Sequence, residues 1–304
     1  MTLKEHAERL PVNDTDETAW RKARSESQWR IAWRMLRRNP TAMFGLAGLV
    51  LLVVAAVTAP LVAPYDPVEM DFQALTQPPS EIHLLGTDDL GRDVLSRVIW
   101  GGRESLRVAL TAILIAMLGG TAIGLVSGYF GGLVDSTMMR VTDIWLAFPT
   151  ILLVLAIVAT LGANLGTVLF ALSISAMPWF GRFVRGSVLS AKNFEFVTAA
   201  RVIGASDRRI MLTHILPNVL APIIVYATVG LGNAIMITAG MSYLGLGAQP
   251  PSPEWGAMLN YGRNYIRDAW WMSAFPGFAI FLAVMCVNLL GDGLRDALDP
   301  KLRV

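Results

Sequence analysis

Six long apolar runs constrain this chain more than any other feature of its sequence. They cover Met43–Ala63, Leu106–Ser127, Val141–Leu161, Leu165–Phe180, Val219–Ala239 and Trp271–Leu290. A helix needs roughly 20 mostly apolar residues to cross a bilayer, and hydrocarbon tolerates only segments that pair their own backbone groups. The sequence therefore predicts an all-α membrane protein with six transmembrane helices. Only Gly162, Ala163 and Asn164 separate the third and fourth runs, which predicts a tight hairpin. Charged residues make up 16% of the chain against about 25% in soluble domains, so much of the surface faces lipid.

The distribution of Lys and Arg sets the orientation. With the N-terminus in the cytoplasm, nineteen fall on inner segments and five on outer ones, Arg107 lying at a boundary. The expected organisation is a cytoplasmic tail over 1–42, the first span over 43–63 and an extracytoplasmic loop over 64–105. A five-helix core over 106–290 contains the cytoplasmic loop 181–216, and a second cytoplasmic tail covers 291–304. The first tail has no secretory signal pattern. Within it, Trp29, Trp33 and Leu36 share one helical face and Arg30, Arg34, Arg37 and Arg38 the other. That pattern suits a helix lying in the inner headgroup region; a plain basic flank is the alternative. Residues 1 to about 26 are polar and expected to be mobile.

The spans lack Asp, Glu, Lys and Arg away from their ends. Ionisable groups in mid-bilayer are costly and are kept where protons or ions move, so a proton-coupled carrier or membrane metalloenzyme is disfavoured. Gly120, Gly124 and Gly128, with Gly230 and Gly240, are expected to pack against neighbouring helices. Pro149, Pro178 and Pro276 are expected to kink theirs. Cys286 reads as a buried thiol. His83 is the one histidine among the scattered carboxylates of 64–105, which reads as a solvated, hydrogen-bonded loop. No G-x-x-x-x-G-K-[ST] loop is present, so any ATP hydrolysis belongs to another subunit. No catalytic, metal-binding or solute-contacting residue can be named, and nucleic acid is not an expected partner.

The segment FVTAARVIGASDRRIMLTHILPN (Phe196–Asn218) reads as helix, sharp turn, helix. Val197, Ala200, Val202 and Ile203 are the apolar positions of the first helix. Gly204 stands where a left-handed C′ residue is needed, Ser206 where an N-cap belongs, and Asp207 in the first turn of a helix running toward Pro217. This segment resembles the EAA loop of the membrane subunits of ATP-binding-cassette importers. HLLGTDDLGRDVLSRVIWGGRESL (83–106), YFGGLVDSTMMRVTDIWLAFP (129–149), YLGLGAQPPSPEWGAML (243–259) and NLLGDGLRDALDPKLR (288–303) narrow the resemblance. They are similar to the C-type subunit of the dipeptide/oligopeptide/nickel permease subgroup, from about Trp33 to the C-terminus.

The resemblance implies a type I importer permease in a bacterial cytoplasmic (inner) membrane, both termini inside, paired with a second homologous permease subunit. Two cytoplasmic ATP-binding subunits, holding ATP and magnesium, and an extracytoplasmic substrate-binding protein complete the assembly; this chain holds no cofactor. It implies that Ala199, Ala200, Gly204, Ala205 and Ser206 contact the ATPase, with Asp207, Arg208 and Arg209 beside them. Thr198 departs from the motif, standing where the family has Glu, so no role of that carboxylate carries over. The implied mechanism is alternating access for a peptide or peptide-like solute; a secondary carrier or channel for a small polar solute is the alternative. The turn Gln249–Pro253, with Glu254 and Trp255, fits an outer mouth, a contact for the binding protein or a rigid surface loop.

Overall fold

The structure, a computed structural model, describes residues 28–298. The expectations for the first 27 residues and the last six lie outside that range, as do the side chains of Trp29 and Arg30. Among the described residues, every extended regular element is helical, and the one β-bridge joins Thr87 and Asp93. The helices are α1 (Gln28–Arg38), α2 (Pro40–Val57), α3 (Ala59–Val62), α4 (Val94–Phe130), α5 (Gly132–Leu146) and α6 (Thr150–Leu161). They continue as α7 (Leu165–Ala191), α8 (Glu195–Val202), α9 (Asp207–Tyr243), α10 (Trp255–Gly262) and α11 (Trp271–Leu298).

Five helices, α2, α4, α7, α9 and α11, are each long and apolar enough to cross a membrane, and the bent pair α5–α6 makes a sixth candidate. The third apolar run is therefore not the single helix expected over Val141–Leu161. It breaks at Ala147–Pro149, and its halves meet at 81°. Proline has no N–H to continue the ladder and pushes its predecessor out of the helical region. Pro149 itself adopts ψ 128° and precedes the first turn of α6. Pro178 and Pro276 instead sit inside continuous helices, as does Pro222. The helices also outrun their apolar stretches. α4 starts at Val94, α7 runs on to Ala191 and α11 to Leu298. Polar residues in these end turns hide the extension from a hydropathy reading.

Glycine governs how closely these helices approach. On α4, a Cβ at Gly120 would lie 2.6 Å from the Met177 carbonyl oxygen, at Gly124 2.5 Å from that of Gly181, and at Gly128 2.9 Å from Val188. All three neighbours are on α7, so the expected packing role holds here. Gly48 on α2 likewise accommodates the buried sulfur of Cys286 on α11. Gly240 departs from the expectation, since nothing lies within 4 Å of an added Cβ. The main hydrophobic core joins Val94, Ile113, Phe180, Ile235, Trp255 and Val287 from four helices and α10. At the other end, Leu36 of α1 packs with Ala42 and Ala297, while Arg37 lies 4.9 Å from the Trp33 ring.

The segment between α3 and α4 is hydrogen-bonded as expected, but its central ionic groups are buried instead of solvated. Asp93 accepts from the Ser96 N–H at 2.8 Å, capping α4, and its other oxygen lies 3.0 Å from His83 Nδ1. Asp88 accepts from Arg92 Nε at 2.7 Å and lies 3.6 Å from Arg97. Trp271 donates to the Thr87 carbonyl at 3.0 Å, fastening the segment to α11. Glu254 and Trp255 are also interior. Glu254 is fully buried; it accepts from Ser105 at 2.9 Å and from the Ala257 N–H at 2.9 Å, joining α10 to α4. These two residues therefore cannot meet a binding protein, although Gln249 and Pro250 stay exposed.

Two measurements test this packing. Gly124→Val is expected to destabilise by about 1–3 kcal/mol, because a backbone carbonyl cannot rotate away from the new methyl groups. Gly186→Ala, with open space around its Cβ position, should leave the thermal midpoint in detergent unchanged; equal midpoints for the pair would dismiss the seam. Burial raises the proton affinity of the Glu254 carboxyl, with the amides of Gly256 and Ala257 opposing it. The folded state then keeps a proton the unfolded chain has released, so stability is fullest below the ordinary carboxylate range and falls as pH rises through the raised value. Glu254→Gln should flatten that part of the curve of midpoint against pH, and an unchanged slope would refute the assignment.

Candidate functional site

The segment from Glu195 to Ile215 projects from one end of the bundle, built on a helix end whose bonds are all accounted for. Val197 and Ala200, three residues apart on α8, are buried. The Ala205 N–H bonds to the Ala200 carbonyl at 3.0 Å and the Gly204 N–H to that of Arg201 at 3.1 Å. This pair of bonds is a Schellman motif, which needs a left-handed residue at C′. Gly204 supplies it with φ +81°. Nothing lies within 4 Å of its Cβ position, so the backbone conformation alone requires glycine.

α9 begins at Asp207. Ser206 occupies the N-cap position, but its side chain makes no capping bond, contrary to the sequence expectation. Asp207 instead accepts a hydrogen bond from the Tyr129 hydroxyl at 2.5 Å. The helix does not pause before Pro217 either. A π-helical turn over Ile210–Ile215 leads into it, with the Leu216 N–H reaching the Met211 carbonyl. The wider turn lets the chain pass a residue with no N–H and continue as one helix.

Side chains tie this projection to the spans. Leu125 and Tyr129 of α4, Val184 and Val188 of α7, Val197 and Ala200 of α8, and Ile210, Ile215, Val219 and Ile223 of α9 form one buried cluster. Lys192 donates to the Tyr129 carbonyl at 2.7 Å, and Arg185 grips Asp135 through two bonds of 2.5 and 2.6 Å. Arg182 also pairs with Asp143. Force applied to α8 therefore reaches α4, α5, α7 and α9 through packed and charged contacts. These contacts join the projection to the spans through both buried and charged side chains.

Ala199, Gly204, Ser206, Asp207, Arg208 and Arg209 lie on the exposed surface of the projection, with Ala205 half-buried. Ala200 points inward at 4% exposure and serves the internal cluster. The sequence reading grouped Val202 and Ile203 with the apolar positions of the helix. They are instead 82% and 83% exposed, forming an apolar tip beside the glycine turn. Spacing could have shown this for Val202, which falls outside the Val197–Ala200 stripe; Ile203 continues that spacing but lies past the last helical residue, Val202. Tyr129, distant in sequence, carried no such signal.

A second feature opens between the spans. A cavity of about 710 Å³ is lined from α4, α6, α7 and α9. Its wall is largely apolar and aromatic, including Trp179, Phe180, Tyr226 and Tyr243, and no ionisable acid or base other than the tyrosines lines it. Tyr226 stacks on Phe183 at 4.4 Å and meets Phe180 edge-on at 5.0 Å. These rings stand between the cavity and the cluster beneath α8.

Residues 120–304 match the family described as the binding-protein-dependent transport system inner membrane component, and residues 27–79 match the N-terminal transmembrane domain of oligopeptide transport permease C. The dipeptide transport system permease protein DppC of Alkalihalophilus pseudofirmus is 47% identical over 91% of each chain. The glutathione transport system permease protein GsiD of Pectobacterium atrosepticum is 44% identical over 90% of this chain and 92% of its own. An inward-facing structure of the MetNI methionine ABC transporter shares the fold at TM-score 0.54 and 19% identity, covering 68% of this chain and 96% of that one. On these matches, the chain belongs to the inner-membrane component family of binding-protein-dependent transport systems, the permease subunits of ATP-binding-cassette importers.

Proposed function

We propose that this permease forms one half of a path for a peptide-like solute, and that α8 and its glycine turn dock on a separate ATPase subunit. The observation that carries the docking is the apolar tip of Val202 and Ile203, exposed to water yet rigidly backed. Such a surface, on a projection that also exposes Phe196 and Leu212, is stabilised when a partner covers it. The anchors at Tyr129, Arg185 and Lys192 support a lever, since movement of the tip cannot be absorbed locally. ATP binding would draw the ATPase pair together, carry α8 with it and swing the helices lining the cavity; hydrolysis would reset them.

The partners follow from the same reading: a second related permease closes the open side of the cavity, two ATPase subunits sit beneath, and a binding protein delivers solute above. Lys and Arg concentrate on the segments at the α8 end, which supports placing both termini in the cytoplasm. Relatives named for dipeptides, di/tripeptides and glutathione support a peptide-like solute. A proton-driven carrier is disfavoured by a cavity wall without carboxylate, histidine or lysine.

Two outcomes are expected. Changing Val202 and Ile203 together to Asp should prevent co-purification of ATPase subunits while membrane insertion persists; full recovery of the complex would refute docking at the tip. Gly204→Val places a β-branched residue in a left-handed conformation, which costs about 1–2 kcal/mol and redirects the tip. Uptake should fall at least about tenfold while ATP hydrolysis continues, and unchanged uptake would remove the lever.

A further inference from the structure

α9 presents one face that the other described residues leave uncovered. Val229, Asn233, Met236, Gly240 and Tyr243 recur at helical spacing, and Asn233, Met236, Gly240 and Tyr243 border the cavity. The opposite face, with Ala234, Ile235, Thr238, Ala239 and Met241, is buried in the bundle. Asn233 is exposed, and its carboxamide has no hydrogen-bond partner among the described residues. It lies ten residues from Tyr243, the end of the helix, or about 15 Å at 1.5 Å per residue. Asn233 also lies within the apolar run Val219–Ala239, six residues from its end, and so falls inside a hydrocarbon core about 30 Å thick.

An unpaired carboxamide is not left facing lipid tails, because neither its N–H groups nor its carbonyl can be satisfied there. This face therefore meets either water and solute or a polar group of another subunit. The surroundings favour the first. Gly230 and Gly240 bracket Asn233 by three and seven residues, and an added Cβ at Gly240 meets nothing within 4 Å. Asn233 itself lines the cavity, beside Met236, Gly240 and the Tyr226 and Tyr243 rings.

We infer that Asn233 is a specificity-determining contact midway along the path, offering both donor and acceptor to the amide and carboxylate groups of a passing solute. The inference rests on the reading of the cavity as that path. In a wall of rings, methyl groups, thioethers and the hydroxyls of Thr150, Tyr226 and Tyr243, the carboxamide adds a neutral donor and acceptor suited to peptide-like solutes of any net charge. Uncharged lining also keeps the contact weak enough for release.

The test uses the complete importer reconstituted in vesicles, with its binding protein, and labelled dialanine and glutathione as probes. Asn233→Leu removes both polarities at similar size and should lower uptake of the better-transported probe at least tenfold, with subunit recovery and ATP hydrolysis within twofold of wild type. Asn233→Gln should regain at least a third of the lost uptake. Uptake within twofold of wild type for Asn233→Leu would overturn the proposal. Asn233→Cys gives a second reading, since the native Cys286 is buried. Its thiol should react with a membrane-impermeant methanethiosulfonate reagent, and loaded binding protein with ATP should change that rate at least threefold. An inert thiol, or loss of the second permease subunit from both the Leu and Cys variants, would instead place Asn233 at lipid or a static subunit contact and overturn the proposal. Failure of the docking reading would appear in the Gly204 and Val202/Ile203 variants and would leave thiol reactivity at position 233 unaffected.

Discussion

The glycine seam between α4 and α7 carries the rest of the arrangement. Backbone carbonyls of α7 approach positions 120 and 124 of α4 at distances that exclude any side chain. Without a hydrophobic drive between helices in lipid, such close contact is what holds a bundle together. The seam sets Phe180 in the cavity wall and brings Tyr129, at the end of α4, within reach of Asp207. The wall of the path and the seat of the projecting segment are thus positioned by one interface.

A lever needs stiffness at its base and a handle at its tip, and the two differ chemically here. The base combines a buried apolar cluster with the Arg185–Asp135 and Lys192–Tyr129 contacts. The tip has exposed Val202 and Ile203, whose direction is set by a single left-handed residue. Within the base, Arg185 and Arg182 are paired with Asp135 and Asp143, whereas Val202 and Ile203 at the tip stay exposed. Away from that end, the buried Asp88, Arg92 and Arg97 and the capping Asp93 fix the start of α4. Both ends of α4 are therefore clamped.

Much of the fold was legible because the bilayer imposes simple rules. Apolar runs of spanning length reveal helices, and Gly204 followed by Ser206 and Asp207 reveals a turn, since few residues adopt the required conformation. Other features depended on context. Pro149 breaks its helix while Pro178, Pro222 and Pro276 do not, a difference that the residue type alone does not encode. Ala200 matches the family motif as well as Ala199 does, yet one is buried and the other exposed. Glu254 looked like a surface residue because it follows a proline-rich turn, but Ser105, distant in sequence, gives its carboxyl a partner inside.

The sequence by itself determined the membrane class, the helical composition, the family resemblance and the position of the turn, because each depends on local chemistry or on a run of neighbours. Only the tertiary structure decided which glycines pack and which leave space, which carboxylates are buried, and which face of α9 lacks cover. Those properties belong to pairs of residues such as Gly124 and Gly181, or Tyr129 and Asp207. Their meeting depends on how whole helices pack, which no single segment encodes.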